Sequence, residues 1–114
     1  MPRLSVLFLL LAMPALACAQ TAAPTGSAAE GAKKNQMCQG CHGIVGWRTA
    51  YPEVYKVPKI GGQHAAYIVK ALTEYKSGER NHPSMRAIAA SLSDQDMADL
   101  AAYYSGAAPM TASK

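Results

Sequence analysis

Cys38-Gln39-Gly40-Cys41-His42 is the densest concentration of reactive side chains in this 114-residue chain. Two thiols three residues apart and an adjacent imidazole suit three chemistries: a dithiol redox pair, part of a zinc site, or covalent attachment of haem. A thioredoxin-like pair expects a βαβ context, and the hydrophobic pattern offers none. Structural zinc needs four ligands, but apart from Cys18 near the N-terminus the chain has only these two cysteines and three histidines, with no second metal-binding cluster. A disulfide across so short a loop would constrain the unfolded chain very little. C-x-x-C-H is the attachment signature of haem c. Its spacing matches the two vinyl groups on one side of a porphyrin, and the histidine that follows falls beneath the iron as proximal ligand.

The composition points the same way. The chain has one Trp, Trp47, and one Phe, Phe8, and alanine supplies much of its apolar content. Small exported domains usually add a disulfide set, a metal or a cofactor to a core of that size. A haem would be the large apolar body around which short alanine-rich helices pack.

The N-terminus reads as an export signal. Arg3 is a short positive region, residues 4–16 an apolar run, and Ala17-Cys18-Ala19 a small-x-small cleavage site. The run is shorter than the roughly 20 apolar residues of a bilayer span, and Pro14 interrupts it. We expect residues 1–19 to be a signal peptide cleaved after Ala19, with lipidation at Cys18 the minor alternative. The mature chain, Gln20 to Lys114, has ten Lys/Arg and seven Asp/Glu and no dense run of like charge. Nucleic acid is therefore a poor partner, and no stable membrane insertion is expected after cleavage. The expected location is the periplasm.

The elements that must hold the motif read as helices. Residues 20–26 form a flexible lead-in. Ser27-Ala28-Ala29-Glu30 is a capping box, the serine and the glutamate each satisfying a free backbone donor, and the helix it opens should run into the cysteine motif. Residues 43–57 show no sustained period and contain Gly43, Gly46 and Pro52, so a loop is expected. From His64 to Ser77, Ile68, Leu72 and Tyr75 recur at helical spacing, and Gly78 closes that helix. A turn at 79–85 leads to a short helix at about 85–91. Ser93 caps a last helix with acidic residues in its first turn, where the helix dipole favours them. Met97, Leu100, Ala101 and Tyr104 form its apolar stripe, and Gly106 ends it. No convincing strand and no internal repeat appear. The fold class is all-α, with a haem domain over 27–106 and a flexible tail over 107–114.

The sixth iron ligand has several candidates. Met37 adjoins the motif and cannot reach the opposite face, Met97 belongs to a core stripe, and Met110 lies in the tail. His64, at a helix start, is expected to be exposed. Met85 follows a turn 43 residues after His42, and His82 lies in the same turn.

"VPKIGGQHAAYIVKALTEYKSGER" followed by "MRAIAASLSDQDMADLAAYY" resembles one haem domain of the dihaem c4-type cytochromes and related small monohaem bacterial periplasmic carriers, within the class I c-type cytochromes. The similarity covers nearly all of 27–105, and "PKIGGQ" and "LSDQD" are its most specific pieces. It implies about four helices wrapped around one covalently bound haem, the first and last crossing with Gly31 and Tyr104 at the contact. It implies haem c with iron, attached at Cys38 and Cys41, with His42 and Met85 as axial ligands. It also implies a proline carbonyl that orients His42, for which Pro58 is the candidate and Pro52 the weaker option. Trp47, Tyr51 and Tyr55 are candidates to line the haem, with ordinary packing the alternative for each. Lys33, Lys34, Lys56 and Lys59 are candidates to steer acidic partners to an exposed edge, with solvated surface lysines the default.

The resulting expectation is a one-electron carrier, not an enzyme, that docks transiently with redox donors and acceptors such as a terminal oxidase or reductase. The alternatives are a dedicated electron-transfer subunit of a larger oxidoreductase and, further off, a haem enzyme or gas-binding protein with an open sixth site.

Overall fold

A computed structural model describes residues 23–50 and 54–106. The export signal with Cys18, the start of the lead-in, Tyr51, Pro52 and the tail with Met110 lie outside the described residues. Helix α1, Ala28–Lys34, starts at Ser27, whose Oγ accepts from the Glu30 N–H at 3.4 Å. The reciprocal arm of the expected capping box is absent. The Ser27 N–H donates instead to Asp99 Oδ1 at 2.8 Å, and Glu30 turns outward to Lys33 at 2.7 Å. A carboxylate reaching in from across the fold has displaced the local one.

The helix expected to run into the motif is broken. At Asn35, which is buried, ψ is −5°, and α2 resumes over Gln36–His42. The Asn35 carbonyl takes the N–H groups of both Cys38 (2.8 Å) and Gln39 (2.9 Å), so the break costs few hydrogen bonds. The expected loop after it contains a two-stranded antiparallel ribbon, β1 (Arg48–Thr49) and β2 (Tyr55–Lys56), with Arg48 opposite Lys56 and Thr49 opposite Tyr55. The expectation of no strand is therefore corrected. Strands of two residues are too short to show alternation, although Thr49, Val54, Tyr55 and Val57 are strand-favouring types.

Helix α3, Ala65–Ser77, buries Ile68 and Leu72 and ends at Gly78. Gly78 has φ +89°, a left-handed conformation that glycine adopts without a Cβ penalty. Helix α4, Pro83–Ala90, begins two residues earlier than the pattern suggests because His82 caps it and Pro83 takes the first helical position. Helix α5, Asp94–Gly106, opens with a complete capping box: Ser93 Oγ accepts from the Asp96 N–H at 3.1 Å, and Asp96 Oδ2 accepts from the Ser93 N–H at 3.0 Å.

Helix α5 is the spine, packed by α1 on one side and α3 on the other. Ile68, Leu72, Leu92, Met97, Leu100 and Tyr104 form the core around it, each large side chain worth roughly 1.5–3 kcal/mol of transfer free energy. Met97 is 1% exposed. At the α1–α5 crossing a Cβ on Gly31 would fall on the Asp99 carbonyl oxygen and lie 2.7 Å from the Tyr103 Cβ. The aromatic residue against Gly31 is thus Tyr103, one position before the expected Tyr104. Tyr104 faces the core instead, and its carbonyl takes the Gly62 N–H at 2.8 Å.

The same crossing holds a polar clasp. Asp99, 2% exposed, accepts from the Ser27 N–H, from Lys34 Nζ at 2.7 Å and from Gln95 Nε2 at 2.9 Å. Lys34 also pairs with Asp96 at 2.7 Å. Lys34 holds both carboxyls below the usual carboxylate range, and the two carboxylates push its own ammonium upward.

Candidate haem-binding site

Helical spacing in α2 places Cys38 and Cys41 one turn apart on one face, with His42 four residues after Cys38. Both thiols are free. Cys38 is half-buried against the core and Cys41 is exposed. Burial pushes the Cys38 thiol up, opposed by the Tyr104 hydroxyl beside it. Burial likewise pushes the Tyr104 hydroxyl up. Cys38 therefore joins the α2 motif to the end of α5.

His42 Nδ1 lies 2.7 Å from the Pro58 carbonyl oxygen. A carbonyl can only accept, so Nδ1 carries a proton, and in the neutral ring that leaves on Nε2 the lone pair that can ligate a metal. Pro58 sits just before Gly61-Gly62. Gly62 has φ +81°, and its N–H is tied to Tyr104. The acceptor is thereby carried on a loop anchored to the same α5 end that packs on Cys38.

Met85 lies in the first turn of α4, half-buried against the core. Its backbone N–H donates to His82 Nδ1 at 3.3 Å. His64 is exposed at the start of α3 and Met37 is exposed beside the motif. Among the described residues no group of three or more His, Cys, Asp or Glu side chains converges on a common metal position.

The chain between α2 and α3 leaves large apolar side chains uncovered. Ile44, Val45, Trp47 (42% exposed), Val54 (71%) and Tyr55 all fall within twelve residues. A small protein seldom leaves so much apolar surface without something to cover it. Two free thiols on one helix face, an imidazole oriented by a carbonyl, a thioether on another element and an uncovered apolar stretch suit a large, flat, covalently attached apolar group that contains a metal.

The candidate lysines differ. Lys33 pairs with Glu30, and Lys34 is committed to Asp96 and Asp99. Lys34 is therefore part of the α1–α5 clasp, its charge offset by two carboxylates. Two roles had no signal in the sequence. Lys34 and Asp99 are 65 residues apart, and Tyr55 and Tyr75, which flank His82, belong to different elements.

The family model for cytochrome c matches residues 28–106. The chain belongs to the cytochrome c family. Cytochrome c4 of Pseudomonas aeruginosa is 39% identical over 79 residues, an alignment covering 69% of this chain and 37% of that protein. Cytochrome c-554(548) of Halomonas halodenitrificans is 41% identical over 83 residues, covering 70% of this chain and 95% of that one. The crystal structure of reduced recombinant cytochrome c4 from Pseudomonas stutzeri superposes with a TM-score of 0.55 at 31% identity, covering 75% of this chain and 53% of that one. The similarity thus spans well under half of the P. aeruginosa c4 protein, about half of the P. stutzeri c4 chain and nearly all of the c-554(548) protein. This cytochrome has the all-α class I fold resembling c4, and its cofactor is haem c, covalently attached and containing iron. No helix of the described residues is long and apolar enough to cross a membrane.

Proposed function

We propose that this cytochrome is a periplasmic one-electron carrier with a single haem, ligated by His42 and Met85. The haem supplies the Fe(III)/Fe(II) couple. Cys38 and Cys41 would hold it by thioether bonds on the α2 face, and His42 Nε2 would be the proximal ligand. The observation that carries this reading is the hydrogen bond from His42 Nδ1–H to the Pro58 carbonyl. It orients the ring, selects the ligating tautomer and raises the basicity of Nε2.

Met85 would provide the opposite ligand. A thioether is soft and favours Fe(II), so His/Met coordination raises the reduction potential relative to two histidines. With His42 and Met85 both holding the iron, no position would be left open for a substrate, and the role would be transfer without catalysis. Trp47, Ile44 and their neighbours would exclude water from the porphyrin face. Donors and acceptors, a terminal oxidase or reductase among them, would dock briefly and weakly. Export would be directed by residues 1–19 and would end in cleavage after Ala19.

The test is the absorption spectrum of the oxidised holoprotein beside that of Met85→Ala. The expected result is the weak far-red band of thioether-ligated Fe(III), present in the wild type and lost in the variant. A high-spin wild-type spectrum that shifts on addition of carbon monoxide after reduction would overturn the proposal in favour of an open iron.

A further inference from the structure

We propose that His82 is a positioning residue: its imidazole fixes the backbone of Met85 and so keeps the Met85 thioether on the iron. The inference rests on the assignment of Met85 as a ligand given above. The cap of α4 is unusual in its chemistry. N-cap positions favour the short side chains of Ser, Thr, Asp and Asn, whereas here the Nδ1 lone pair of a histidine accepts from the Met85 N–H. Pro83 in the first helical position has no N–H, so the first turn has few donors to satisfy. His82 serves Met85 with its ring, while its carbonyl takes the ordinary first intrahelical bond, from the Arg86 N–H at 2.9 Å. The residue whose side chain would reach the iron is therefore the one whose backbone the ring holds.

The choice of histidine also has a reach that a short cap lacks. The His82 ring packs edge-on against Tyr55 in β2, with centroids 5.2 Å apart at 76°, and against Tyr75 in α3, at 6.4 Å and 76°. Tyr55 follows the uncovered apolar stretch after the cysteine motif, and Tyr75 belongs to the helix that packs on the core. One imidazole thus ties the start of α4 to two other elements, β2 and α3. A cap confined to its own helix would let the first turn of α4 open as a unit. This one couples that opening to loss of two aromatic contacts.

The experiment compares wild type, H82A, H82N and Met85→Ala as oxidised holoproteins. Each is titrated with imidazole while the far-red thioether band is followed, and each is unfolded in guanidinium. Imidazole competes with Met85 for the iron, so its apparent affinity reports how easily the ligand turn opens. Loss of the cap should raise that affinity in H82A by about 5- to 30-fold. H82N restores a capping acceptor without the ring and should recover part of the change, the remainder reporting the lost contacts with Tyr55 and Tyr75. An H82A affinity equal to wild type, or an H82N affinity as high as that of H82A, overturns the proposal. A lower unfolding midpoint in H82A with no change in imidazole affinity also overturns it, because it marks a merely structural residue. Should H82A fail to accumulate, His82→Val, an equally poor cap that keeps apolar bulk between the tyrosines, takes its place. A wild type without the far-red band that turns high-spin in H82A would make His82 itself the ligand. That would sink the Met85 assignment as well, and the Met85→Ala spectrum would show it by staying unchanged.

Discussion

Replacing Gly31 by alanine tests the crossing that seats the cysteine motif. In an ordinary exposed helix interior the change stabilises by about 1 kcal/mol, because glycine has the greater backbone freedom to lose. Here the added Cβ would fall on the Asp99 carbonyl oxygen, with the Asp99 carbonyl carbon and the Tyr103 Cβ each at 2.7 Å. None of these atoms can swing aside as a side-chain tip can, so α1 must back away from α5. Overpacking of this kind costs about 1–3 kcal/mol, and a purely backbone clash belongs near the top of that range. Subtracting the helical gain leaves a net loss of about 2 kcal/mol. With a guanidinium slope of about 2.5 kcal/mol per molar for a domain this small, the unfolding midpoint of the holoprotein should fall by about 0.8 M. Gly106→Ala is the control, since nothing lies within 4 Å of its Cβ, and its midpoint should hold or rise slightly. A Gly31→Ala midpoint at or above wild type would refute the reasoning, because it would mean the helices stand further apart than the structure has them.

The clasp of Lys34 with Asp96 and Asp99 sets a pH dependence. Both folded-state carboxyl values are depressed, Asp99 to about 2, so their stabilisation is present above about pH 4 and is lost as pH falls through the folded values. The raised Lys34 value contributes fully below its ordinary value and is lost only as pH rises through the higher folded one. Guanidinium midpoints should thus be flat from about pH 5 to 10 and drop below about 4, and Lys34→Met should lower the midpoint at neutral pH and shrink the acid drop, because Lys34 is the main cause of both depressions. Changing Cys38 and Cys41 together to alanine should leave no haem on the chain after acidic organic extraction, whereas either single variant should retain it through one thioether. Retention in the double variant would refute attachment at these sites. The His42 Nδ1 proton should exchange slowly with solvent and faster in Pro58→Gly, where the loop bearing its acceptor is freed; NMR of the reduced holoprotein would show equal rates if the 2.7 Å contact did not protect it.

Short-range features were legible because their physics spans only a few residues. The C-x-x-C-H spacing, the Ile68–Leu72–Tyr75 stripe, Gly78 and the Ser93–Asp96 cap could all be read from neighbours within one or two turns. The pairs of strand residues in the ribbon could not, since two positions carry no period, and neither could the break at Asn35, where the local pattern stays helical on both sides. The α4 boundary was missed because a histidine cap lies outside the usual capping vocabulary.

Periodicity, capping and thiol spacing act along the chain, so helices carrying a haem-attachment motif follow from the order of the residues. Tertiary structure alone decided which acceptor serves Ser27, which tyrosine meets Gly31, where Lys34 commits its charge and where the Pro58 carbonyl lies. Those partners are 16 to 72 residues apart, and at such separations contact depends on how helices cross. A shift of one residue at the α1–α5 crossing exchanges Tyr103 for Tyr104. No pattern read along the chain resolves that difference, whereas the close approach of two backbones at a glycine does.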